Sequence, residues 1–122
     1  MGPPVCLDTD VIIEFLKGRN PELRKSFQEG KEYCTTSITA FELRMRKTNL
    51  KPVEEFLART KVFSFDDLCS AIAADTNKEL KERGKTIELR DLFIAATCIR
   101  NNCALLTKNQ KHFRQMKGLE LA

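Results

Sequence analysis

Four short apolar runs limit how this chain can fold: Val5-Cys6-Leu7, Tyr33-Cys34-Thr35-Thr36, Val62-Phe63-Ser64-Phe65 and Ala104-Leu105-Leu106-Thr107. Each has the length of one buried strand and is too short for a helix. The segments between them carry helical spacing and helical punctuation. Val11, Ile12, Ile13, Phe15 and Leu16 run up to Gly18. Asn20-Pro21 supplies a cap and a first-turn proline for a helix that Gly30 closes. After the second run, Ile38, Phe41, Leu43 and Met45 share a helical stretch, and Lys51-Pro52 opens another that buries Val53, Phe56 and Leu57. Asp66 is placed to cap a long helix carrying Leu68, Ile72, Ala73 and Leu80, with Gly84 beyond its end. Residues 92–99 form a strongly apolar helix, and a short basic helix follows the last run. Leu119 and Leu121 alternate about Glu120 as a fifth, edge strand. Strands separated by helices imply right-handed crossovers. The expected fold is therefore α/β: a single domain over residues 1–122, with a central parallel sheet of four to five short strands flanked by helices.

A chain of 122 residues can bury one core without metal or disulfide staples. No run approaches the ~20 apolar residues of a membrane span, and the N-terminus lacks a basic-then-apolar leader pattern. The expectation is a cytoplasmic protein with no membrane partner. The five cysteines are odd in number and include no C-x-x-C pair, which speaks for reduced thiols rather than a disulfide framework or zinc site. Cys6, Cys34 and Cys98 sit in apolar surroundings and read as core residues.

In open parallel sheets, ligands bind beyond the carboxyl ends of the strands, so the polar residues just after each strand are the informative ones. Asp8 follows the first strand, with Thr9 and Asp10 beside it. Glu42 lies soon after the second, Asp91 opens the helix before the fourth, and Asn109 lies two residues after Thr107. No base is expected among them. Crowded carboxylates repel, and a divalent cation relieves that repulsion; an all-oxygen set favours Mg²⁺ or Mn²⁺ over zinc. Each acid also has a local reading. Asp8 suits a helix cap, Asp10 and Asp91 suit the positive end of a helix dipole, and Thr39-Ala40-Phe41-Glu42 has the T-x-x-E pattern of a capping box. Convergence of Asp8, Glu42 and Asp91 on one edge favours the metal reading, and Asp10 stays open between ligand and dipole partner.

Charge is segregated along the chain. Residues 43–53 carry Arg44, Arg46, Lys47 and Lys51, and residues 92–119 carry Arg100, Lys108, Lys111, Arg114 and Lys117, neither stretch holding an acid. Those nine positive charges, against +4 for the whole chain, leave the remainder at −5. Such stretches suit phosphate contacts on either side of an acidic rim. Aromatic stacking on bases has little support, because Trp is absent, Tyr33 is the lone tyrosine and most phenylalanines look buried.

Four segments, in order, resemble the PIN-domain nucleases, specifically their VapC-type toxin branch. They are Leu7-Asp8-Thr9-Asp10-Val11-Ile12, then Ser37-Ile38-Thr39-Ala40-Phe41-Glu42-Leu43, then Arg83-Gly84-Lys85-Thr86-Ile87 leading to Asp91-Leu92-Phe93-Ile94-Ala95-Ala96, and last Leu106-Thr107-Lys108-Asn109 with Lys111-His112-Phe113 and Gly118-Leu119. The resemblance implies a metal-dependent endoribonuclease using Mg²⁺ or Mn²⁺. Asp8, Glu42 and Asp91 fall on the family's catalytic, metal-holding acids. Asn109 stands where a fourth acid often lies, which counts against a second metal. Thr9 and Thr107 match hydroxyl positions that support the acids or touch phosphate. Arg44, Arg46, Lys47, Lys108, Lys111 and Arg114 would bind RNA. The implied chemistry is attack of an activated water on phosphorus, leaving 5′-phosphate and 3′-hydroxyl ends. The resemblance also implies a small antitoxin protein as partner and a homodimer, which exposed apolar positions on the first two helices could support.

Two other readings remain at this point. A PIN-like module could bind RNA or protein without catalysis. Alternatively, Asp8-Thr9-Asp10 resembles the D-x-D opening of haloacid-dehalogenase-like phosphatases. That second reading lacks the acidic pair required downstream, since Glu120 is the only acid after Thr107.

Overall fold

The structure, a computed structural model, describes residues 2–122; Met1, the first residue of the expected domain, lies outside them. Five strands form one sheet: β1 (Val5–Leu7), β2 (Cys34–Thr36), β3 (Lys61–Phe63), β4 (Ala104–Leu106) and β5 (Glu120–Leu121). Their order is β3-β2-β1-β4-β5, and every neighbouring pair is parallel. Seven helices connect and cover them: α1 (Thr9–Leu16), α2 (Pro21–Gln28), α3 (Ser37–Arg44), α4 (Leu50–Ala58), α5 (Asp67–Glu82), α6 (Leu89–Arg100) and α7 (Gln110–Phe113).

The two-residue period of a strand divides the core between the faces of the sheet. Cys6 enters one apolar cluster with Cys34, Ile94, Cys98 and Leu105. Its neighbour Leu7 enters the other, with Val11, Ile12, Leu43 and Val53. All five cysteines are buried free thiols. The caps follow the local chemistry: Asn20 Oδ1 accepts from Leu23 N at 3.1 Å, and Asp66 Oδ1 accepts from Cys69 N at 2.9 Å. Gly18 closes α1 at φ +72°, a left-handed conformation that disfavours a side chain.

Several boundaries differ from the expected ones: β2 begins at Cys34, β4 ends at Leu106, and α6 spans Leu89–Arg100 rather than 92–99. β3 stops at Phe63, because the Phe65 amide donates to Ser37 Oγ at 3.2 Å and its ring packs on Phe93, 4.5 Å between centroids. β5 begins only at Glu120, while Leu119 packs into the core beside it. The cap of α3 is Thr36, whose hydroxyl accepts from Thr39 N at 3.1 Å; Thr39 therefore lies inside the helix, and the expected capping box with Glu42 does not form.

The expected apolar surface on the first two helices is narrower than anticipated: Ile13, Phe15, Leu16 and Phe27 pack against the core and stay half-buried. The large apolar side chains left exposed among the described residues are Phe41 on α3, Met45 at its C-cap, Leu50 on α4, Leu68 on α5 and Leu89 on α6. Among the described residues, no helix is long and apolar enough to cross a membrane.

Candidate active site

The parallel order sends β1, β2 and β4 toward one edge. The elements that leave or approach that edge bring the predicted acids together. Asp8 directly follows β1 and sits at the N-cap of α1, its Oδ1 accepting from Thr9 N at 2.8 Å. Glu42 projects from the second turn of α3. Asp91 lies in the first turn of α6, which begins at this edge because α6 leads back into β4. Asp8 and Asp91 are almost wholly buried, at 2% and 5% exposure.

Two buried carboxylates need a countercharge. Arg90 supplies it, which overturns the expectation of an acid rim without bases. Its guanidinium donates through Nε to Glu42 Oε2 at 2.6 Å, through Nη1 to Asp91 Oδ1 at 2.5 Å and through Nη2 to Asp8 Oδ1 at 2.8 Å. Nη2 also reaches Thr9 Oγ1 at 3.1 Å. Burial alone would lower the pKa of this guanidinium, but Glu42, Asp8 and Asp91 together outweigh it and the net shift is upward.

The remaining carboxylate oxygens are also engaged. Thr107 Oγ1 donates to Asp8 Oδ2 at 2.7 Å, Thr9 Oγ1 donates to Glu42 Oε1 at 2.6 Å, and His112 Nδ1 faces Asp91 Oδ2 at 3.4 Å. Thr107 Oγ1 in turn accepts from Asn109 N at 3.1 Å. Asn109 thus lies at the cleft through its backbone, and its side chain makes no cap bond to α7. Asp10, in the first turn of α1, is exposed at the mouth. The cleft, about 250 Å³, is lined by Thr9, Asp10, Glu42, Arg90, Asp91 and His112 among others.

A second cleft of about 380 Å³ adjoins it, sharing Asn109 and His112 and adding Thr107, Lys108, Lys111 and Arg114. The basic residues here differ in their engagement. Lys108 pairs with Glu14, Arg114 donates to Gln110 Oε1 at 3.0 Å, and Lys111 is exposed. In the other basic stretch, Arg44 is clamped by both oxygens of Glu54, at 2.8 and 3.0 Å; Arg46 is half-buried and Lys47 exposed.

Arg90 and His112 are the site residues that sequence reasoning missed. Arg90 falls outside both basic stretches, and its place beside Asp91 in sequence does not say which way its side chain turns. Phe41 is 60% exposed next to Glu42, while the other seven phenylalanines are buried or half-buried, as expected of most of them.

Residues 5–119 match the PIN domain family. The chain belongs to that family. The PIN match extends through both halves of the sheet and displaces the phosphatase reading of Asp8-Thr9-Asp10. Among PIN relatives, the chain is 30% identical to ribonuclease VapC1 of Methanocaldococcus jannaschii over 126 residues, covering 96% of this chain and 84% of that one. It is 28% identical to ribonuclease VapC2 of Haemophilus influenzae over 121 residues, covering 93% and 92%. Among solved structures, the PIN fold superposes on DNA-bound VapBC from Salmonella typhimurium with a TM-score of 0.84 at 21% identity, covering 98% of this chain and 97% of that one.

As it stands, the PIN cleft spreads its acids over three guanidinium nitrogens. Among the described residues, no three His, Cys, Asp or Glu side chains are set to hold a metal. The donor set nonetheless suits a hard divalent ion: three carboxylate oxygens already turn toward one cation.

Proposed function

We propose that this PIN-domain chain is an endoribonuclease that hydrolyses RNA phosphodiester bonds with Mg²⁺ or Mn²⁺, and that it acts as the toxin of a toxin–antitoxin pair. The observation that carries this reading is the convergence of Asp8, Glu42 and Asp91 on a single cation at the strand-end cleft. The names of the relatives, ribonuclease VapC, support the activity. The VapBC complexes among the structural neighbours support a small antitoxin as partner.

Asp8, Glu42 and Asp91 would hold the ion. Bound there, it would supply positive charge to the scissile phosphate and lower the pKa of a water. Thr107 and Thr9 fix the carboxylates of Asp8 and Glu42 by donating to their outer oxygens. Lys108, Lys111 and Arg114 line the adjoining cleft and would carry the RNA backbone past the acids. Arg46, Lys47 and, more weakly, the clamped Arg44 would add charge on the α3 side. Phe41 on α3 and Met45 at its C-cap, four residues apart and both exposed, support pairing with a second copy. The apolar groove lined by Phe15, Leu16, Phe27 and Phe56 suits an antitoxin segment.

The deciding experiment measures cleavage of single-stranded RNA in Mg²⁺ or Mn²⁺ by wild type and Asp91→Asn, with chelator as control. Activity in wild type that the substitution and the chelator both abolish is expected. Equal activity in both proteins would sink the assignment. Metal-independent inactivity of both on varied RNAs would favour a binding module.

A further inference from the structure

We propose that Arg90 is the resident counter-ion of the acid cleft, that a divalent ion must displace it, and that the displaced guanidinium then takes the RNA phosphate. The inference rests on the nuclease reading above and adds a residue to it.

The hydrogen-bond pattern makes displacement necessary. Each carboxylate has one oxygen facing another partner: Asp8 Oδ2 faces Thr107, Glu42 Oε1 faces Thr9 and Asp91 Oδ2 faces His112. The oxygens that point together into the cleft are Asp8 Oδ1, Glu42 Oε2 and Asp91 Oδ1, and Arg90 holds all three. An ion set among those three oxygens would lie against the positively charged guanidinium that already contacts each of them. The two cations therefore compete for one set of donors.

Charge balance explains why the exchange can proceed and why Arg90 stays nearby. One guanidinium leaves two of the three negative charges it contacts uncompensated, and Asp10 and Glu88 also line the cleft, so a divalent ion is still attracted. With the ion in place, the three acids are neutralised only if Arg90 also remains close. Its backbone is fixed beside Asp91 in the first turn of α6, and its side chain is already 27% exposed. Released, it faces the cleft that opens through Asn109 and His112 onto Lys108 and Lys111. A planar fork freed from carboxylates is suited to two phosphate oxygens.

The test compares wild type, Arg90→Gln and Arg90→Lys in two measurements. The first is Mn²⁺ binding without RNA, read from the loss of the free Mn²⁺ paramagnetic resonance signal. Loss of a competing cation is expected to tighten Mn²⁺ binding by about tenfold or more in Arg90→Gln. Arg90→Lys should fall between, because an ammonium cannot reach three carboxylates at once. The second is RNA cleavage at saturating Mn²⁺, where Arg90→Gln should lose kcat/KM in spite of its tighter metal and Arg90→Lys should recover part of the loss. Unchanged or weaker Mn²⁺ binding in Arg90→Gln, with Mn²⁺-dependent cleavage by wild type intact, overturns the inference alone. Tighter binding with wild-type kcat/KM overturns the phosphate role. Absence of Mn²⁺ binding in all three proteins overturns this inference and the metal-dependent reading together. Should Arg90→Gln fail to fold, Arg90→Lys keeps the charge and decides the Mn²⁺ comparison.

Discussion

The Thr9 hydroxyl donates to Glu42 Oε1 at 2.6 Å, joining the first residue of α1 to the second turn of α3 across 33 positions of sequence. Thr9 Oγ1 also accepts from Arg90 Nη2 at 3.1 Å and lies 3.2 Å from the Thr39 hydroxyl. Glu42 is thus held from both sides, by Thr9 on one oxygen and Arg90 on the other. It has no part in capping α3.

Glu42→Gln removes an ion pair as well as a repulsion, and the 2.6 Å contact to Arg90 makes the ion pair the larger of the two. Were the cleft a set of uncompensated acids, loss of one charge would raise the melting temperature of the metal-free protein. With Arg90 bonded to Glu42, the loss of that charge-assisted hydrogen bond should instead lower stability by about 1 kcal/mol. RNA cleavage should fall at least a hundredfold. A thermal melt in chelator and a gel assay read the two outcomes, and a raised melting temperature would contradict the Arg90 contact.

Thr36→Ala should separate the cap from the site. Its buried hydroxyl is the group that satisfies the Thr39 amide. Removing it should cost about 1 kcal/mol in chemical denaturation, whereas Thr36→Ser should cost little. Folded Thr36→Ala should cleave RNA at close to the wild-type rate, since the hydroxyl does not touch the carboxylates.

Thr107→Val deletes the donor to Asp8 Oδ2 while keeping the shape of the side chain. The freed oxygen can rotate, so metal affinity should fall about tenfold or more, as when an outer partner of a ligand is lost. Thr107→Ser should restore it. Isothermal titration with Mn²⁺ checks the ranking.

The strand-end acids were legible because their positions follow from topology: once Leu7 ends a central strand, Asp8 must stand at its carboxyl edge. The same logic placed Asp91, since a helix that leads into β4 begins at that edge. The charge state of the cleft was not legible. Arg90 and Asp91 are neighbours in sequence, but whether an arginine side chain turns toward solvent or folds back over its own helix depends on what α1 and α3 present. Likewise T-x-x-E at Thr39 is a sound local pattern. It lost to Thr36 because β2 ends one turn earlier than that pattern requires, and the first free amides of α3 therefore lie at residues 37–39.

Acid sensitivity should arise in part far from the cleft. Arg83 first, and then Lys117, holds the Glu79 carboxyl below its ordinary value of 4.5. A depressed folded-state pKa contributes stability above the unfolded value, and that contribution disappears as pH falls through the lower one. Wild type should therefore melt above Glu79→Gln at pH 6. The gap should narrow below pH 4.5 and close once both folded and unfolded carboxyls are protonated. Melts between pH 6 and pH 3, monitored by circular dichroism, check the trend; a constant gap would mean that Glu79 acts through packing.

RNA affinity should distinguish the two basic stretches. Arg44 spends its fork on Glu54, with both oxygens engaged, so Arg44→Ala should leave RNA binding within about twofold of wild type, as exposed pairs already satisfied on the protein contribute little. Lys111 is exposed at the cleft that adjoins the acids. Lys111→Ala should weaken binding across RNA sequences and reduce the slope of log affinity against log salt by about 0.7, the value for one phosphate contact on a single strand. Fluorescence anisotropy over a salt series without divalent ions, using for both substitutions the Asp91→Asn background expected not to cleave, measures each slope. A larger change at Arg44 than at Lys111 would move the RNA path to the α3 side of the cleft.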